Sequence, residues 1–459
     1  MDAITRRRFL EASSAALGAC ALAAPSAAQS LPQEKRNGEK AKIYTVFMHT
    51  APSRDDTDLE PVPNEQTTQR LQKACDGVDF VVRDFTKGAR LDAVLGELKD
   101  LKKQQYDGVI ICGCPRDRDL LRSGLPTINV AVVNDFMNTP YPLFKKNRVI
   151  GASLDPWRFC ADPKVSQRMF DDLVAKIKLI RTLKRMKSER ILTVTDSKHV
   201  NVIYGDVQKN PPQNYNEMIL GAIGETFGTQ VTKIGTKEVV VDKEIRNLWD
   251  NESKEANEIA ARWIGNAKKM INTIESEVVK SAKLYLAMKL LMKKHDATAM
   301  AYHIRTMIAG PRREDYVTPA LATSEFQLEN VVAKCQSHLN IVLSEMLLQY
   351  AYGRPSMLGD YSVDTYTNTS MVQHCEGPWN PWGDKRRVPY ILTDHRERPI
   401  RGRSVPGVGA ASWILYPGNE PVTMWQIDVL SKEVLVHTGK TVPMLSPDAV
   451  YRDHLYEMM

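Results

Sequence analysis

From residue 42 to about residue 133 the chain alternates short apolar runs with stretches that repeat at helical period. Residues 42–48, 78–84, 106–112 and 126–133 predict strands, and residues 64–74 and 91–104 predict helices. The strand runs have apolar cores instead of strict alternation, as strands buried on both faces of a parallel sheet require. A long helical pattern from about residue 163 to 186 leads into a second set. It comprises strand 190–195, helix 215–227, strand 229–234 and helices 254–270 and 275–294. In the last of these Val278, Leu284, Leu286, Leu290 and Leu291 supply the buried stripe. A further strand is predicted at 297–302. No Gly-x-Gly-x-x-Gly opens a helix, so a dinucleotide site is not supported. After Pro378 the texture changes to short strand candidates at 388–392, 411–415, 422–427 and 434–436, separated by Gly, Pro and Asn turns.

The stretch between these regions holds the candidate chemistry. Val332, Leu339, Val342, Met346, Leu347 and Tyr350 recur at helical spacing, Gly353 sits where a helix stops, and Pro355 follows. Beyond that stop come Asp360, Asp364 and His374, a carboxylate-and-imidazole set of the kind that holds a divalent metal.

At these residues the sequence resembles the L-fucose/L-arabinose isomerase superfamily, in particular its fucose-isomerase branch. The matching elements are Cys335-Gln336-Ser337-His338, Gly353-Arg354-Pro355, Leu358-Gly359-Asp360, and Asn368-Thr369 followed by His374-Cys375. The run Pro319-Ala320-Leu321-Ala322 and the turn Gly418-Asn419-Glu420-Pro421-Val422-Thr423 have counterparts there too. Gln336 and Asp360 stand at the interval that separates the family's two acidic metal ligands. The resemblance implies an α/β fold: two Rossmann-like α/β units (41–162 and 163–296), then a ligand-bearing α/β segment and a C-terminal small β-barrel (297–459). It implies metal-assisted aldose–ketose isomerisation of a sugar through an enediol. The metal ligands it implies are Gln336, Asp360 and His374, with Gln336 and Asp360 in the catalytic roles. The cation is manganese, or alternatively magnesium, and the assembly a homo-oligomer, trimer or hexamer. One departure stands out: the family's first glutamate is Gln336 here, and an amide brings no charge and accepts no proton near neutral pH.

If residue 336 lies on a regular helix, Glu345 falls on the opposite face and His338 about 200° away. Glu329 shares the face only if the helix extends back to it. Asp364 and Glu376 are then the better substitutes for the missing carboxylate. Without the family register each of Gln336, Asp360 and His374 reads as an ordinary solvated, turn or packing residue. The alternative functions are a catalytically lapsed carbohydrate-binding or structural envelope protein, or a metal-dependent lyase or epimerase on oxidised sugars. Arg305, Arg312, Trp379, Trp382 and the arginine-rich run 396–403 have the chemistry to face a sugar or to form rim and packing.

The amino terminus changes the compartment. Thr5-Arg6-Arg7-Arg8-Phe9-Leu10 followed by a small, apolar run reads as a twin-arginine export signal over residues 1–28, with a polar tether over 29–40. The twin-arginine translocase is the partner this implies, and the protein is then periplasmic or otherwise exported. A second processing option leaves a lipidated Cys20. No other apolar run approaches the ~20 residues of a membrane span. Removal of the signal takes away three arginines, Asp2 and Glu11, so the net charge of +7 becomes +6. That mild excess, without aromatic interleaving, argues against a nucleic-acid partner. Cys75, Cys112, Cys114, Cys160, Cys335 and Cys375 remain, too few for a disulfide scaffold. Cys112-Gly113-Cys114 reads as buried small residues, since no second pair stands at zinc-finger spacing.

Overall fold

The computed structural model describes residues 40–48, 63–101, 104–112, 123–130, 149–152, 163–201, 211–303, 317–395 and 409–442. The export signal and all but the last residue of the tether lie outside these residues. So do Cys20, Cys114, Cys160, Arg305, Arg312 and the run 396–403. The chain is α/β, and it divides into two compact units between Arg185 and Met186.

The first unit is built on a five-stranded parallel sheet. Its strands are β1 (Ala41–Phe47), β2 (Val78–Asp84), β3 (Gly108–Cys112), β4 (Thr127–Val130) and β5 (Val149–Ala152), in the order β2-β1-β3-β4-β5. Alternation along each strand sends side chains to two cores. Ile43, Ile110 and Ile128 meet Leu71 of helix α1 (Asn64–Ala74), together with Phe170, Leu173, Ile177 and Ile180 of helix α3 (Pro163–Ser188). Tyr44, Val46, Val109 and Ile111 meet Val94 and Leu98 of helix α2 (Leu91–Asp100) on the other face. The long helix predicted to open the second unit therefore covers the first sheet over most of its length. Gly108 lies under it: a Cβ there would stand 2.7 Å from the Ile180 side chain, which would have to shift to admit one.

The second unit has a four-stranded parallel sheet of β6 (Arg190–Val194), β7 (Gln230–Ile234), β9 (Ala299–Tyr302) and β10 (Val332–Lys334), ordered β10-β9-β6-β7. Helices α4 (Tyr215–Phe227), α5 (Thr236–Val240), α6 (Lys243–Asp250), α7 (Lys254–Asn266), α8 (Glu275–Lys294), α9 (Ala320–Leu328) and α10 (Leu339–Tyr352) complete it. Its core centres on Trp263, which meets Tyr285 and Trp379 edge-on and donates from the indole N–H to the buried Glu325 carboxylate at 2.8 Å. Arg262 pairs with the same carboxylate at 2.8 Å, so the buried charge is satisfied from two sides.

The remaining strands form smaller sheets. A short strand β8 (Met270–Ile271) joins β13 (Tyr390–Thr393) and β14 (Ala411–Ile414) in a three-stranded sheet. β11 (Asp360–Asp364) pairs with β12 (Thr369–Gln373), and β15 (Pro421–Asp428) with β16 (Glu433–Lys440), as antiparallel two-stranded ladders. Among the described residues these strands do not join into the expected closed β-barrel, because the two ladders share no strand with each other or with the three-stranded sheet.

Candidate functional site

The helix predicted from Val332 onward is two elements. Val332–Lys334 is the edge strand β10, and α10 begins only at Leu339. It ends as expected at Gly353, whose positive φ of 68° caps it and whose N–H donates to the Gln349 carbonyl at 2.8 Å. Cys335 and Gln336 therefore sit in the loop just past the carboxyl end of a parallel strand, where α/β sheets bind ligands. The helix-face geometry used to dismiss Glu345 and His338 does not apply, because residue 336 precedes the helix.

The second half of the site comes from the β11–β12 hairpin. Its register pairs Asp360 with Gln373, the residue before His374, so the hairpin's open end delivers both Asp360 and His374-Cys375. His374 and Cys375 reach the loop after β10. The Gln336 side-chain amide lies 3.1 Å from His374 Nε2. Cys335 Sγ lies 3.4 Å from His374 Nδ1 and 3.5 Å from Cys375 Sγ, and Cys375 Sγ is 3.6 Å from the same Nδ1. Cys335 is buried, and His374 and Cys375 are half-buried. Among the described residues these two thiols and the imidazole form a group able to hold a metal ion.

Of the residues singled out in the sequence, Gln336 and His374 are thus brought together. Asp360 is exposed and outside the thiol–imidazole group, though its charge acts on His374. Asp364 is at the far tip of the hairpin, where its carboxylate accepts from the Tyr366 N–H at 2.9 Å and from the Thr367 hydroxyl at 2.6 Å. Glu376 and Glu345 lie beneath the site. Both pair with the fully buried Lys334, Glu345 at 2.5 Å and Glu376 at 3.1 Å, and Glu376 also accepts the Cys335 N–H at 2.8 Å. His338 is the N-cap residue of α10. Glu329 bonds to the Tyr285 hydroxyl and to Lys289. Trp379 is core, stacked on Tyr390 at 4.6 Å with its N–H on Ser412, whereas Trp382 lies under the Arg386 guanidinium. Cys335, Cys375 and Lys334 also stand at this junction, yet the sequence reading gave them no role. The paired dipeptides Cys335-Gln336 and His374-Cys375 were the available signal.

The electrostatics follow from this packing. A hydrogen bond from Cys335 holds the Cys375 thiol well below its usual range against the effect of burial, with His374 and His395 adding to the pull. Burial alone would lower the His374 pKa, but Cys375, Glu376 and Asp360 raise it to about 9. Burial pushes the Glu345 carboxyl above the ordinary range even beside Lys334. Desolvation also opposes the Lys334 charge, but Glu345 and Glu376 outweigh it and keep the ammonium charged.

Manganese, the cation the resemblance implies, favours oxygen-rich ligation. The donors gathered at His374 are two sulfurs and one amide, with the Asp360 carboxylate outside the group. This set does not fit a hard cation, and no chemical step is assigned to manganese.

No protein-family model and no curated protein matches this chain. Among solved structures, one similar chain is a periplasmic solute-binding protein of an ABC transporter from Actinobacillus succinogenes 130z, with D-allose bound. The similarity has a TM-score of 0.18 and 8% identity, and it covers 68% of this chain and 92% of that one. At that score it carries no argument.

Proposed function

We propose that this chain is an exported, sugar-active isomerase or epimerase whose reaction centre is the junction of residues 335–336 with residues 374–375. The observation that supports this most is the 3.1 Å approach of Gln336 to His374, two positions 38 residues apart that the family resemblance assigns to one site. Aldose–ketose exchange removes a proton from the carbon beside a carbonyl and returns it to the neighbouring carbon, which requires a polarised carbonyl and a base. A divalent cation held by Cys335, His374 and Cys375 would supply the polarisation. Asp360, exposed and adjacent to the His374 segment, is the carboxylate left to take and return the proton. The buried Lys334–Glu345–Glu376 cluster fixes the backbone of Cys335 and so holds the loop in place.

The proposal extends to the fucose-isomerase-like architecture, to a homo-oligomer, and to twin-arginine export. The export element predicts that Arg6→Lys with Arg7→Lys leaves the protein in the cytoplasm. A second reading, a lapsed carbohydrate binder, draws on Gln336 itself, an amide where the family has an acid. The test is deuterium incorporation from D2O into a panel of aldoses and ketoses, read by NMR with the cation-loaded full-length chain. The isomerase reading expects exchange beside the carbonyl of at least one sugar, and a loss of at least ~100-fold in Asp360→Ala. Sugar binding without exchange in any member of the panel would select the binder instead.

A further inference from the structure

We propose that Cys335, Cys375 and His374 form a three-ligand site for zinc or another thiophilic divalent cation, with Gln336 fixing the imidazole and the fourth position open. This rests on the reading of the junction as a metal centre and not on its sugar chemistry.

The geometry carries the inference. In a tetrahedral zinc site with Zn–S ~2.3 Å and Zn–N ~2.0–2.1 Å, two sulfurs stand ~3.8 Å apart and each stands ~3.5–3.6 Å from the nitrogen. Here the sulfurs are 3.5 Å apart, and they lie 3.4 and 3.6 Å from one and the same ring nitrogen, Nδ1. Three side chains from two separate segments thus outline one face of a tetrahedron. Cys335 is buried, and His374 and Cys375 are each half-buried.

The other ring nitrogen supports the same assignment. A metal-binding histidine commonly donates its second N–H to a carbonyl or carboxylate, which fixes the tautomer and leaves the ligating nitrogen unprotonated. Gln336 lies 3.1 Å from Nε2, and an amide's oxygen and nitrogen are interchangeable in shape. Turned with its oxygen inward, the amide accepts the Nε2 proton and leaves Nδ1 unprotonated; Cys335 Sγ also lies 3.8 Å from Nε2, so the ring has to turn for the Nδ1 lone pair to meet both sulfurs. Gln336 is then a positioning residue. Below, Glu376 holds the Cys335 N–H, and Lys334 ties Glu376 to the sheet. Two thiolates and an imidazole favour zinc-class cations over manganese and magnesium.

The test uses the full-length chain stripped by a chelator and reloaded with cobalt(II) or zinc(II). Cobalt should bind at one equivalent with a thiolate-to-metal charge-transfer band and the intense visible absorption of a tetrahedral site, and zinc should displace it. Zinc should bind at least ~100-fold more tightly than manganese. Cys375→Ser should weaken zinc binding beyond the ~100-fold limit of an outer-shell change, whereas Gln336→Leu should fall within ~10–100-fold. Octahedral cobalt without a charge-transfer band, or manganese bound as tightly as zinc, would overturn the site. The wild-type spectrum decides even if a cysteine variant does not fold. Tetrahedral thiolate–cobalt without deuterium exchange on any sugar would sink the isomerase reading and leave this site standing. Exchange supported by manganese and unchanged in Cys375→Ser would do the reverse.

Discussion

Cys112 and Cys335 both stand at the carboxyl ends of parallel strands, Cys112 as the last residue of β3 and Cys335 one residue past β10. Cys112 lies in a central strand, and burial alone pushes its thiol up to about 12. Cys335 follows an edge strand, which leaves one flank free for the His374-Cys375 segment to reach it. The strand before it also ends in a buried ammonium shared by two carboxylates, whereas β3 reads Gly-Val-Ile-Ile-Cys. Position on a sheet therefore does not by itself set the surroundings of a thiol. A second chain segment bringing an imidazole and another sulfur does, and a charged floor holds the meeting point.

The largest effect should come from that floor. Lys334→Met strands two carboxylates without their counter-charge and should cost about 3–5 kcal/mol in denaturant unfolding. Ile110→Val in the apolar first sheet should cost only about 0.5–1.5 kcal/mol. Equal losses at the two positions would erase the contrast between the floors. Thiol chemistry gives the next largest effect. In cation-free protein at neutral pH, iodoacetamide should modify Cys375 at least ~100-fold faster than Cys112, because the thiolate is the nucleophile. Peptide mapping by mass spectrometry measures both in one sample, and comparable rates would remove the distinction.

Gln336→Glu is subtler. A carboxylate accepting the Nε2 proton makes the imidazole a better donor, so zinc affinity should rise by ~10-fold, equivalent to ~1.4 kcal/mol. Unchanged calorimetry would place residue 336 outside the centre. Asp364→Ala, at the distal tip of the same hairpin, should leave zinc affinity within about twofold of wild type. A larger change would mean that the tip and the open end of the hairpin are coupled.

Much of the α/β framework was legible because parallel strands buried on both faces read as unbroken apolar runs, as in β3 and β9. The β10–α10 boundary was not. Val332 falls by coincidence in phase with Leu339, Val342 and Met346, and a three-residue strand is too short to show its own period. Lys334 deepened the error: a lysine reads as solvated surface, and only Glu345 and Glu376, brought in from elsewhere in the chain, explain its burial. The β11–β12 hairpin was also invisible, since β11 is exposed at every position and has no alternation to betray it. Gln336 and His374, paired in the sequence only through the family resemblance, do meet in space. The two thiols were overlooked because their meaning depends on a contact between residues 40 positions apart.

The most direct test of the account is the zinc-edge X-ray absorption spectrum of the zinc-loaded full-length chain. A first shell of two sulfurs at ~2.3 Å, with one imidazole nitrogen and one further light atom at ~2.0–2.1 Å, is what the Cys335–His374–Cys375 centre predicts. A shell of nitrogen and oxygen alone would contradict it.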